Sequence, residues 1–158
     1  RFELQLTNEP VDLIAQRIDL ALRLSYALQD STLIAKKLGP ARFGLYASLD
    51  YLDRKGRPKN LSDLGNHDCL HIGSSRYGAF WSILQDGKTV RYRQPWTLII
   101  PNTLALIFAV AQGAGLAAIP DLFVNEHPCA DKLVRVDGVV DFPDLELFAL
   151  YPSRKHLP

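Results

Sequence analysis

The residues of this chain best suited to chemistry lie at His67-Asp68-Cys69-Leu70-His71, with a second pair at His127 and Cys129. Imidazole and thiolate are ligands zinc favours, and a Cys activated by a His is a common nucleophile. On a strand, alternation puts Cys69 and His71 on one face. One reading is therefore a metal-dependent or Cys-His hydrolase using His67, Cys69 and His71. Zinc needs about four ligands converging as a tetrahedron, and neither group has the two-to-four-residue ligand spacing of ordinary zinc modules. The competing reading makes Cys69 a core residue and assigns the chain no catalytic residue, no metal and no cofactor.

A second pattern, Gly113-Ala-Gly-Leu-Ala-Ala118, superficially matches a dinucleotide fingerprint. That fingerprint works when a strand precedes the glycines and a helix follows, so that the helix N-terminus faces a pyrophosphate. Here the spacing predicts the reverse order. Asn102 is a good N-cap, and Leu104, Ile107, Phe108 and Ala111 recur at helical spacing. Gly113 and Gly115 then let the chain turn, and Leu116 to Ile119 has no polar face, as expected of a central strand covered on both sides. The glycines are structural in this reading. Arg91 and Arg93 flank Tyr92, which is too short a basic-aromatic stretch for nucleic acid and fits the solvated face of a hairpin.

These groups must be positioned by a series of short elements. Phe2 to Leu6 alternates apolar and polar residues as a half-buried strand, with an edge available for a subunit contact. A short helix over Val11 to Gln16 follows, with Val11, Ile14 and Ala15 on one face. Strands are expected at Leu20 to Leu24, at Leu33 to Ala35 (broken at Leu38-Gly-Pro40) and at Phe43 to Ala47. Ser48 caps a helix closed by Gly56, and Leu61 to Leu64 forms a helical turn. Cys69 to Ile72 is strand-like. Asp86-Gly87 joins Trp81–Leu84 to Val90–Tyr92 as a hairpin. Trp96 to Ile100 leads to the Asn102 helix, Asp121 caps another, and Leu133 to Val136 and Leu145 to Tyr151 are the last strands. Helices alternating with strands make the class α/β with a largely parallel sheet.

Composition narrows the function. With 47% hydrophobic and 22% charged residues the chain is globular, and a net charge of +1 gives no pull toward nucleic acid or anionic membrane. No apolar run approaches the roughly 20 residues that span a bilayer, and no signal peptide opens the chain. Two cysteines make no disulfide framework, so a cytoplasmic location is expected. There is no methionine, which points to an excerpt of a longer protein.

Several segments together resemble one family. Pro10 to Arg23, Ser31 to Pro40, Tyr51-Leu-Asp-Arg-Lys-Gly-Arg-Pro58, Leu61-Ser-Asp-Leu64, His67 to Leu70, Gly113 to Pro120 and Tyr151 to His156 look like the effector-binding domain of LysR-type transcriptional regulators. The resemblance covers almost the whole chain in the right order. It implies a periplasmic-binding-protein-like fold: two α/β subdomains joined by two crossover strands, with a small-molecule inducer held between them. Residues 1–42 would be a partial first subdomain. Residues 43–151 would be the second, with crossovers at Phe43–Ala47 and Leu145–Tyr151, and residues 152–158 would return to the first. It also implies a homo-oligomer that reaches DNA only through an amino-terminal winged helix-turn-helix not present in this sequence, and no membrane contact. The family's first strand and helix and its final helix are expected outside this sequence, leaving the first subdomain incomplete. A transport-type solute-binding protein is the other reading of such a fold.

A cleft of this kind takes its walls from strand ends and helix starts. By position that nominates Leu24, Ser25 and Tyr26, then Ile72, Gly73 and Ser74, and Asn102 and Thr103. Free N–H groups and partial positive charge at a helix start suit a carboxylate.

Overall fold

A computed structural model describes residues 2–7, 11–25, 33–73 and 79–152. Ten strands and three α-helices are defined among them. The strands are β1 (Ala21–Ser25), β2 (Leu33–Ala41), β3 (Phe43–Ser48), β4 (Cys69–Ile72), β5 (Trp81–Gln85), β6 (Lys88–Tyr92), β7 (Leu98–Ile100), β8 (Leu116–Pro120), β9 (Leu133–Arg135) and β10 (Leu145–Pro152). The helices are α1 (Leu49–Lys55), α2 (Thr103–Ala111) and α3 (Asp121–Asn125). Two compact units divide the chain: Arg1–Asn8 with Phe43–Pro143, and Glu9–Arg42 with Asp144–Pro158.

The larger unit is organised by a five-stranded sheet in the order β7-β4-β8-β3-β9. β4 pairs parallel with β7 and β8, whereas β3 runs antiparallel to β8 and β9. The sheet is thus mixed rather than largely parallel, because β3 enters beside β8 in the opposite sense. β8 is central and buried along its whole length. Its alternation divides the core: Leu116 and Ala118 face Leu45, Tyr51, Leu64, Cys69 and Trp81, while Ala117 and Ile119 face Leu70, Leu106, Ile107 and Val110 of the α2 side. A side chain at Gly115, with φ of +152°, would place its Cβ 2.1 Å from the Asp68 carbonyl oxygen. That carbonyl accepts the Leu116 N–H at 2.8 Å, so the β4–β8 approach requires glycine.

Local signals survive where they are self-contained. Ser48 Oγ accepts the Tyr51 N–H at 3.2 Å and Gly56 closes α1. Asp86 and Gly87 both have positive φ, the geometry of a two-residue hairpin joining β5 and β6. Signals that depend on a neighbour change. Asp121 opens α3 without capping it, since its carboxylate is drawn to Tyr46 and Arg135. α2 buries Leu106, Ile107, Val110 and Ala111, leaving Leu104 and Phe108 about half exposed at 51% and 55%. The helix carries no charged residue, so its own pattern did not mark the inner face.

In the smaller unit β10 lies between β1 and β2, antiparallel to both. The expected break at Leu38-Gly-Pro40 is instead a register shift inside a continuous β2: Gly39 pairs with Leu147 and Lys37 with Phe148, so Leu38 is the extra residue. In this sheet β2 is an edge strand, where proline's missing N–H is tolerated. The expected Val11–Gln16 helix is a single turn capped by Asp12, whose carboxylate accepts the Ile14 and Ala15 N–H groups at 3.0 Å each. Leu13 is its buried residue, while Ile14 is exposed. Residues 2–7 form no strand, and Phe2, Leu4 and Leu6 are exposed, so alternation of apolar and polar residues did not by itself make a strand here.

Candidate functional site

Because β4 and β7 are parallel, their carboxyl ends meet at one border of the larger unit. The Gly73 N–H donates to the Ile100 carbonyl at 3.0 Å, and Pro101 then leads directly into α2. This brings Ile72, Gly73, Asn102 and Thr103 together at the kind of border where open α/β sheets receive ligands. Ile72, Gly73 and Thr103 are half-buried and Asn102 is exposed. Asn102 Oδ1 accepts the Ala105 N–H at 2.9 Å and its carbonyl accepts the Leu106 N–H at 2.9 Å, so this side chain is committed to capping. The first-turn N–H groups of Thr103 and Leu104 have no intrahelical acceptor by helix geometry, and the dipole adds partial positive charge there.

Leu24 and Ser25 end β1 in the other unit, paired with Leu147 and Glu146 of β10. Tyr26 and Ser74 lie outside the described residues.

The histidines and cysteines do not converge. Cys69 is fully buried against the sheet, its Sγ 3.9 Å from the Leu64 carbonyl, and burial pushes its thiol up to about 11. That opposes thiolate formation, and hence a nucleophile's role. His67 Nδ1 meets the Tyr51 hydroxyl at 3.1 Å. His71 shares the Cys69 face, but its Nε2 is engaged by Phe80. His127 Nδ1 accepts the Cys129 N–H at 3.1 Å. Among the described residues no group of three His, Cys, Asp or Glu is arranged to hold a metal ion.

Two networks were hidden from sequence reasoning because their members are distant along the chain. The Tyr51 hydroxyl accepts the Asp68 N–H at 2.8 Å, joining α1 to the turn before β4, and burial raises its pKa to about 12. Arg135 pairs with Asp121 and Asp137, while the Tyr46 hydroxyl donates to Asp121 at 2.9 Å, joining β9, α3 and β3. Arg135's pKa is raised by these hydrogen bonds, against the opposing effect of burial. Neither network lies at the β4–β7 border.

An α/β fold of two units, with strand ends and a helix start meeting at one border, is the arrangement in which open α/β sheets hold small ligands. The chain belongs to the LysR substrate binding domain family, which it matches over residues 1–158. It is 34% identical over 156 residues to an HTH-type transcriptional regulator of Xanthomonas campestris pv. campestris, spanning 96% of this chain and 45% of the relative. It is 27% identical over 156 residues to an HTH-type transcriptional regulator of Haemophilus influenzae, spanning 99% and 54%. The regulatory domain of CrgA, a LysR-type transcriptional regulator from Neisseria meningitidis, matches with a TM-score of 0.75 at 25% identity over 92% of this chain and 71% of that one. The chain spans about half the length of the curated relatives it matches. The family expected from the ordered motifs and its periplasmic-binding-protein-like fold therefore hold, consistent with an effector-sensing regulatory domain. The hydrolase and transport readings gain no support from these relatives.

Proposed function

We propose that this chain senses a small carboxylate at the border formed by Ile72, Gly73, Asn102 and Thr103. The observation that carries this is the Gly73–Ile100 hydrogen bond, which sets the ends of β4 and β7 beside the N-terminus of α2. The first-turn N–H groups then supply donors and partial positive charge for an anion. Leu24, Ser25, Tyr26 and Ser74 are kept as separate candidates, nominated by their places in the sequence. The effector acts by population shift: it favours whichever arrangement of the regulator binds it more tightly, by no more than that difference in affinity. The relatives are named HTH-type regulators, so DNA is read by a helix-turn-helix of the same polypeptide, beyond this chain. The regulator is a cytoplasmic homo-oligomer that works without catalysis, metal or cofactor.

The test is an NMR titration of the chain with succinate and benzoate, using the matching uncharged amides as controls. The carboxylates shift the Gly73, Thr103 and Leu104 amide resonances and the amides do not. Thr103→Pro, which removes a first-turn N–H at the helix position that tolerates proline, weakens binding by about tenfold. Shifts confined to other residues, or equal shifts from the uncharged amides, refute the assignment.

A further inference from the structure

We propose that His71 is the positioning residue of this border, holding Phe80 against β4 through one ring nitrogen and fixing Gly73 where the strand ends. It rests on the effector reading for what the border binds, and on geometry alone for the positioning. Strand alternation turns His71 to the Cys69 face, opposite Ile72, and the residue is 8% exposed. Its Nε2 lies 2.8 Å from the Phe80 carbonyl oxygen and 3.1 Å from the Phe80 N–H nitrogen. One nitrogen cannot donate to the first and accept from the second at once. With its proton on Nε2 the ring donates to the carbonyl; with its proton on Nδ1 it accepts from the N–H. Either tautomer grips the same residue, which directly precedes β5. Burial favours the neutral ring that this exchange needs.

The neighbours extend the grip in both directions. Trp96 packs on the imidazole with ring centroids 4.8 Å apart, and its indole N–H donates to the Ala79 carbonyl at 3.1 Å. Consecutive residues, Ala79 and Phe80, are therefore held by two touching rings. On the other edge of the imidazole, Cε1 and Nδ1 lie 3.5 Å from where a Cβ on Gly73 would sit. Gly73 has φ of +135° and donates its N–H to Ile100, so the ring backs the residue that joins the two strand ends. Among the described residues Nδ1 is buried without a hydrogen-bond partner. A leucine would fill this space without that cost; what imidazole adds is the hold on Phe80.

Amide exchange and imidazole ¹⁵N shifts in the chain test the role, with His71→Leu to remove the hold and His71→Gln to restore it. Glutamine carries a donor and an acceptor at its tip, so it can engage either Phe80 group. In His71→Leu, exchange at the Phe80 and Gly73 amides rises about tenfold while the Ala118 amide of β8 stays protected; His71→Gln returns both toward wild type. The wild-type imidazole ¹⁵N pair shows a neutral ring with a hydrogen-bonded Nε2. Unchanged exchange at Gly73 in His71→Leu overturns the positioning role, as does failure of His71→Gln to rescue it. If the wild-type border ignores succinate while these exchange effects are present, the effector reading falls and the mechanical link between His71 and Gly73 stands.

Discussion

The Tyr51 hydroxyl accepts the Asp68 N–H and lies 3.1 Å from His67 Nδ1, in a bond whose direction follows the tautomer of the imidazole. Burial and the nearby Lys55 charge hold the His67 pKa below its usual 6.5, and burial does the same for His71. The unfolded chain then binds more protons than the folded one between the folded values and 6.5. Stability is therefore complete above pH 6.5 and declines as pH falls below it. Thermal midpoints measured from pH 8 to 5 should drop on the acid side, and His67→Gln should flatten part of that slope. Tyr51→Phe should cost about 2 kcal/mol in chemical denaturation, because it leaves the Asp68 N–H without its acceptor. Gly115→Ala should cost about 3 kcal/mol or more, since the Cβ meets the Asp68 carbonyl and φ is strained. Glycine at 115 was legible in the sequence as a turn residue. That it faces a backbone oxygen of residue 68 was not, because contact across strands leaves no mark in local spacing.

At the level of elements, α2 separates what a pattern carries from what packing decides. Its start was readable because the Asn102 cap is a contact within one turn, and Asn102→Ala should lower stability by about 1 kcal/mol. Its inner face was not readable, since apolar residues surround the helix. Ile107→Ala should cost about 3 kcal/mol by opening a cavity under the sheet, whereas Phe108→Glu should stay within about 0.5 kcal/mol of wild type. Reversal of that order in denaturation midpoints would put the other face inside. β2 teaches the same lesson in a strand. Gly39-Pro40 looked like an end because proline cannot donate, yet an edge position and a bulge at Leu38 absorb it. The candidate border was partly legible, as Ile72, Gly73, Asn102 and Thr103 follow from strand-end and helix-start rules. The Phe80 and Trp96 contacts behind it were not, since they depend on where the β5–β6 hairpin folds back.

For the molecule as a whole, the two units differ in how much apolar surface each buries. The larger one has a two-faced core around β8. The smaller one buries Leu13, Ala41, Leu145, Ala149 and Leu150 but exposes Leu20, Leu22, Ile34 and Leu38. Amides of β1 and β2 should therefore exchange at least about a hundredfold faster than those of β8, because opening a unit with fewer buried contacts costs less. Equal protection would contradict that ranking. Membership of the LysR substrate-binding family was legible because short motifs kept their order along nearly the whole chain, each marking a cap, a turn or a strand end that local chemistry determines. Those same local terms set the hairpin at Asp86-Gly87, the caps at Ser48 and Asn102, and the burial of β8. Tertiary structure alone decided the mixed strand directions, the buried face of α2, the dispersal of the His and Cys side chains into separate hydrogen bonds, and the hold of His71 on Phe80. Each of those depends on residues far apart in sequence competing for the same space, and only the folded chain resolves that competition.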